Sequence, residues 1–312
     1  MDKNAIEIAR TLGAPYDLNK PVSVELSEIC NVEKPASVGE PVFLYNAEDS
    51  NGADTIYTAG SDGLIDVVEV KLGDAVPLTF EFLQSKLEYI LIQKAAESLD
   101  VDAMARRKLS QTRALDKIEL KKVLDLVLAL NGTTGIPDQS VIRTTGSDIY
   151  DLIVALVRKV EDYGDNYILL AGKDANSEIE DFDKTMAEGG MNYPLPIKAM
   201  LKEKGITLIK VTEKITLDDG EDLPVLAANT LVLIARDSKN PLVGRPIVFC
   251  RRLIRDLVAN AGGTVDAKQR ALYIAETPLS LDAGLTHGYG IFSWESIVIA
   301  LVNYRQVAYA IA

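Results

Sequence analysis

At 312 residues, 47% of them hydrophobic, the chain can bury a substantial core without help from disulfides or metals. Its 46 acidic side chains outnumber 33 basic ones, for a net charge of -13. That balance argues against tight binding to nucleic acid or to an anionic membrane, both of which need clustered cations.

The first ten residues are charged and lack an apolar h-region, so no secretory signal is read there. The most apolar stretches, 231–235 and 297–302, are strand-length and far short of the ~20 residues of a membrane span. A soluble, intracellular protein is expected. Cys30 and Cys250 are two isolated thiols, neither a disulfide framework nor a zinc site, and both are expected to be reduced. Asn131-Gly132-Thr133 matches a glycosylation sequon but reads better as a helix stop.

Residues 1–40 read as an arm, broken by Pro15, Pro21 and Pro35, with Val22, Val24 and Leu26 alternating like a short strand. Residues 41–80 read as a long β excursion. Val42-Phe43-Leu44-Tyr45 leads out, Asn51-Gly52 marks a turn, and Asp66 to Val70 resumes β character. A solitary hairpin is marginal in water, so a neighbouring subunit is expected to complete it.

From Leu78 to Asn131 there is neither Gly nor Pro. Lys86 to Ile92 fits strand or helix, and from Asp100, a plausible N-cap, a long helix is predicted to about residue 131. Leu120, Val123, Leu124, Val127 and Leu128 form its apolar stripe, while Arg106, Arg107, Lys108, Arg113 and Asp116 mark a more solvated half. A second helix runs from Thr145 or Ser147 to Asp162, and a strand covers Tyr167 to Ala171. Ser177 and Glu180 read as the capping box of a third helix, which turns Ile179, Phe182 and Met186 inward. A break at Gly189-Gly190, a short helix ending at Gly205 and strands at 206–211, 231–235 and 246–252 follow. Residues 253–288 are mixed and polar, and 291–312 is an apolar segment broken at 302–305.

The residues that could carry chemistry are few. His287, the single histidine, sits in a Gly-rich turn without a nucleophile partner by motif, and reads as a loop histidine. Gly132-Thr133-Thr134-Gly135 follows a helix and not a strand, so it is no phosphate loop. Asp181 and Asp183, and Asp218, Asp219, Glu221 and Asp222, are acidic clusters without calcium-loop spacing and read as solvated turns. Arg251, Arg252 and Arg255 are the densest basic run. With Leu253, Ile254, Leu257 and Val258 interleaved, they read as an amphipathic helix on a solvated or inter-subunit face. Trp294 reads as a packing anchor. No catalytic, metal or cofactor residue is assigned, and an enzyme is not expected.

The order of elements resembles the major capsid protein of tailed bacteriophages, the Hong Kong 97-type fold family, which encapsulins share. Ala75-Val76-Pro77-Leu78 is similar to the returning strand of that family's E-loop, and Asp100 to Thr133 to its spine helix and closing turn. Asp148 to Val160, Asn166 to Leu170 and Lys173 to Met186 resemble the helix-strand-helix of its axial domain. Gly288 to Ala312 resembles its closing peripheral strands. The resemblance lies in pattern and covers nearly the whole chain.

It implies an α+β chain with an N-arm at 1–40, an E-loop at 41–80 and a peripheral domain at 81–145 holding the spine helix, about 100–131. An axial domain at 146–288 follows, with a peripheral excursion about 206–252, and peripheral closing strands at 289–312. It also implies self-assembly as hexamers and pentamers into an icosahedral virion shell, built in the host cytoplasm. That shell encloses phage DNA without sequence-specific binding, with scaffolding, portal and decoration proteins as partners, no cofactor and no membrane. Lys71, at the base of the excursion and not its tip, does not support carrying over the family's lysine–asparagine cross-link. The alternatives are an encapsulin-type compartment around cargo protein and an α+β enzyme whose site the sequence does not reveal.

Overall fold

The computed structural model describes residues 22–45, 75–85, 88–91, 101–130, 138–144, 146–189, 193–216, 221–239, 244–255, 258, 264–281 and 284–311. The expected first half of the arm, the excursion from 46 to 74 with Lys71 at its base, the helix stop and Gly-rich loop at 131–135 and the turn at 218–220 lie outside these residues.

A helical turn, α1 (Leu26–Ile29), leads into strand β1 (Cys30–Val32). β2 (Val42–Tyr45) and β3 (Ala75–Leu78) form an antiparallel ribbon with Val42 opposite Leu78, as the excursion requires. β4 (Glu81–Gln84) precedes the ambiguous stretch, and β5 (Glu88–Leu91), its described part, is strand. Helix α2 (Val101–Leu128) has 28 residues, roughly 42 Å at ~1.5 Å per residue. The predicted stripe is its buried face: Leu115, Leu120, Val123, Leu124 and Val127 are wholly enclosed, and Leu128 packs at the margin.

β6 (Ser140–Val141), α3 (Ile149–Val160), β7 (Gly164–Ala171), α4 (Lys173–Ala187), α5 (Ile197–Glu203) and β8 (Thr207–Lys210) follow. A small ribbon, β9 (Lys214–Thr216) with β10 (Asp222–Pro224), precedes the long strand β11 (Thr230–Ser238). Then come β12 (Ile247–Arg251), β13 (Thr264–Val265), β14 (Ala271–Leu281), β15 (Gly284–Leu301), a 3-10 turn at Tyr304–Gln306 and β16 (Val307–Ile311).

Five strands in the order β6-β16-β11-β7-β8 make the central sheet. Period-two alternation divides its side chains between two cores. Ile168, Leu170, Val232, Ile234, Val307 and Tyr309 face α2 and the segment around α1. Tyr167, Leu169, Ala171, Leu231, Leu233 and Ala308 face α3, α4 and α5. Covering both faces explains why 231–235 reads as an unbroken apolar run. The second sheet runs β1-β12-β15-β14-β13, with β4 and β5 also on β15, and packs along α2.

Four expectations are corrected. First, the arm is not empty of core: Val24, Ile29, Cys30 and Ala36 are buried, and β1 pairs in parallel with β12, so the segment 22–36 packs on the chain's own core. Second, 271–288 is no mixed loop, because β14 pairs with β15 from Ala271–Trp294 to Leu281–Gly284. Third, strand pairing departs from the expected domain boundaries twice: β14 lies in the sheet beside α2, and β16 joins the central sheet through β11. Fourth, α4 starts at Lys173, ahead of the supposed capping box. Ser177 Oγ instead donates to the Lys173 carbonyl at 3.0 Å. The backbone N–H groups of Asp174 and Ala175 donate to the Ala228 carbonyl, at 2.7 and 3.0 Å, so a distant loop caps the helix.

Candidate functional surface

The β2–β3 ribbon is rooted by Val42, Leu78 and Phe80 on Ala36, Cys250 and Val298. Arg252 fixes its base: the guanidinium lies 3.7 Å from the Phe80 ring centroid and donates to the carbonyls of Ser37 and Glu40 at 2.9 and 3.2 Å. Beyond this root the ribbon turns Phe43 outward, 43% exposed, with Val38 (56%) on the preceding strap and Phe82 (57%) on β4. Phe82 leans on Trp294, ring centroids 5.2 Å apart. Trp294 itself packs on Ile254, Val258 and Ala271, the anchoring role its sequence context implied. The chain thus carries an extended ribbon with Phe43, and Val38 and Phe82 beside it, exposed.

Behind the ribbon, where α2 meets the second sheet, lies a buried charge cluster. Glu119 on α2 accepts from Arg251 Nε and Nη2 at 2.9 and 2.5 Å and from Arg270 Nη2 at 2.7 Å. Arg270 also donates to Asp116 (2.7 Å), to Glu295 Oε2 (3.1 Å) and to the Thr112 carbonyl (3.1 Å). Lys268 reaches Asp116 at 2.9 Å from solvent. Burial disfavours the charged form of Arg270, but Glu119, Glu295 and Asp116 outweigh it and hold the guanidinium more firmly protonated than usual. Burial raises Asp116, yet Arg270 and Lys268 outweigh it and hold the carboxyl below its ordinary value. A cleft of about 230 Å³ opens on Asp116, Glu119, Arg251 and Lys268 from the side of Glu25 and Ser27. The arrangement clamps helix to sheet.

The candidate residues named from the sequence scatter. Arg251 ends β12 and is buried in the charge cluster, not on a solvated helix face; farther on, the Val258 N–H donates to the Ile254 carbonyl at 3.0 Å. His287 lies inside β15 opposite Pro278, not in a turn. Asp183 caps α5, accepting from the N–H groups of Ile197 and Lys198 at 2.5 and 3.2 Å, while Asp181 stays at the surface. Asp222 pairs with Lys214 at 3.6 Å on the small ribbon. Cys30 and Cys250 are buried free thiols, Cys250 Sγ donating to the Lys34 carbonyl at 3.4 Å, and burial pushes the Cys30 thiol up to about 12. Among the described residues no group of His, Cys, Asp and Glu is arranged to hold a metal, and no helix is long and apolar enough to cross a membrane. Glu119, Arg270 and Glu295 went unremarked in the sequence; a charged residue inside an apolar helix face, as Glu119 is beside Leu120, is the one local signal of such a cluster.

No protein-family model matches the chain, and no curated protein sequence matches it. Solved structures do. The virus-like particle from Pyrococcus furiosus superposes with a TM-score of 0.52 at 13% identity, over 94% of this chain and 93% of that one. The capsid of the cyanophage P-SCSP1u gives 0.52 at 11% identity, over 94% and 89%. At such identities the likeness is one of architecture, and it extends over nearly the whole chain: the chain has the Hong Kong 97-type fold.

Proposed function

We propose that this chain is a shell-building subunit whose copies assemble as hexamers and pentamers into a closed icosahedral shell. The observation that carries this reading is the match of 94% of the chain to two shell-forming proteins at a TM-score of 0.52. The exposed ribbon supports it. An exposed apolar face on an extended element has a physical use when another subunit lies under it. Contacts of ordinary size, repeated around every subunit, sum to a durable wall.

On this reading the ribbon is the E-loop and α2 the spine helix. The sheet along α2 forms the peripheral domain, and the central sheet with α3, α4 and α5 forms the axial domain. Residues 22–36 root the N-arm on its own subunit. The net charge of -13 suits a wall that encloses DNA without adhering to it. In a phage, a scaffolding protein, a portal and decoration proteins are the further partners, and the virion is the destination.

Electron microscopy of the purified full chain tests this. Closed shells tens of nanometres across are expected; uniform small particles, with and without co-expressed neighbouring genes, refute it. The contents of the shells, nucleic acid or one co-purifying protein, separate a phage head from a cargo compartment.

A further inference from the structure

The charge cluster contains one atom the clamp does not explain. Glu295 is wholly enclosed. Its Oε2 accepts from Arg270 Nε at 3.1 Å and lies 3.5 Å from Arg251 Nε, but its Oε1 is buried without a partner. The stronger Arg251 contacts go to Glu119, and Arg270 Nη2 divides its N–H groups between Glu119 and Asp116; the Glu119 carboxyl is within hydrogen-bonding reach of Glu295. A carboxylate held dry with one oxygen empty beside a second carboxylate is a costly arrangement, and a carboxylic acid that donates to its neighbour is not.

The distribution of the cations agrees. Arg251 and Arg270 are the buried ones and make their shortest contacts to Glu119 and Asp116, while the third, Lys268, is 44% exposed and reaches Asp116. A charged Glu295, in the driest part of the site, would draw only on guanidiniums it shares with other carboxylates. Around them, β4 places Leu83 opposite Glu295, Cys30 keeps its thiol proton beside Arg245, and Ser293 bonds Ser85 and Gln111; the further charged groups are Glu25, at the cleft mouth, and Asp266, which accepts from the Arg270 backbone N–H at 2.8 Å.

We propose that Glu295 is a neutral acid in the folded subunit and donates its proton to the Glu119 carboxylate, making the joint between α2 and β15 a proton-dependent link. Burial first, and Glu119 second, raise Glu295 to about 8 against an ordinary carboxyl value of 4.5, in keeping with this. The cleft beside Glu119 and Asp116 gives solvent access to the site without global unfolding. The folded state then holds a proton that the unfolded chain releases. The link is intact below the ordinary carboxyl range, weakens as pH rises, and is lost through about 8, where two adjacent carboxylates push helix and strand apart. This holds whether or not the subunit assembles.

The test is denaturant unfolding of the full chain from about pH 5 to about pH 9, beside Glu295→Gln, whose amide stays neutral and still donates to Glu119. The unfolding equilibrium of the parent should shift toward unfolding by up to about tenfold per pH unit below about pH 8, and the variant should lack that component. The single histidine, His287, is common to both and cancels. Infrared spectroscopy reads the proton directly in the parent, so it decides the matter even if the variant does not fold. A buried carboxylic-acid C=O band should be present near neutral pH and disappear by about pH 9. Absence of that band near neutral pH, or an identical pH slope in parent and variant, overturns the proposal.

Discussion

Replacing Ile29 by Ala probes whether the segment before the ribbon belongs to the subunit. Ile29 is fully enclosed, in the core that also holds Val24, Leu124 and Phe249. The truncation removes three carbons, roughly 2.4 kcal/mol of transfer free energy at ~0.8 per carbon. The unfilled cavity brings the expected loss to about 2–5 kcal/mol. Hydrogen bonds bind the same segment: Glu33 N–H to the Phe249 carbonyl and Ala36 N–H to the Arg251 carbonyl, both 2.8 Å, and Ser23 through N–H and Oγ to the Glu213 carboxylate at 2.5 and 2.8 Å. Denaturant unfolding of the dissociated subunit should therefore lose several kcal/mol in Ile29→Ala, while Val38→Ala, at an exposed position, stays within about 0.5 kcal/mol. Hydrogen exchange on the parent should show protected amides at 30–36. If those amides exchange freely and Ile29→Ala is as neutral as Val38→Ala, the segment is not part of the subunit's core and the account of the second sheet's edge is wrong.

Gly172→Ala should be severe, on the order of 3 kcal/mol by thermal or denaturant unfolding, because its Cβ would stand 2.1 Å from the Ala227 carbonyl oxygen and 2.6 Å from that of Ala228. Gly146→Ala is the contrast: open space, φ of +88°, and a cost of about 1 kcal/mol from backbone conformation alone. Asp183→Ala should cost about 1 kcal/mol, since it strips α5 of the carboxylate that caps Ile197 and Lys198, and hydrogen exchange should rise first at those two amides.

What could be read from the chain beforehand follows from how local each signal is. Helix α2 announced itself through a Gly- and Pro-free stretch with apolar residues at helical spacing, both properties of neighbouring residues. Strands β7 and β11 were legible as apolar runs because both faces of their sheet are covered. The β14–β15 pair was not legible. Pro278, Gly288 and Gly290 dilute its β character, and what makes it a strand pair is the ladder itself, which no single strand carries. Residues 22–36 misled for the opposite reason. Their apolar residues are sparse, but Val24, Ile29, Cys30 and Ala36 all face inward, a fact fixed by β12 more than two hundred residues on. The charge cluster is less local still, drawing Glu119, Arg251, Arg270 and Glu295 from four elements with no motif to link them.

That cluster sits where its cost has a physical use. Buried ion pairs are poor sources of net stability, and a well-packed apolar substitute often does as well. An apolar seam has a weakness, however: the Leu and Val face of α2 from Leu115 to Val127 is nearly uniform, and a helix laid on a sheet by such residues alone can slide with little penalty. Glu119 removes that freedom. Its two oxygens engage Arg251 from one strand and Arg270 from the turn before another, and a shift of one helical turn, about 5.4 Å, would strand both guanidiniums. In a subunit proposed to meet identical copies on several sides, an error of register in the longest helix would be repeated at every contact. The energetic cost of the buried charges therefore falls on the element whose placement the other interfaces depend on.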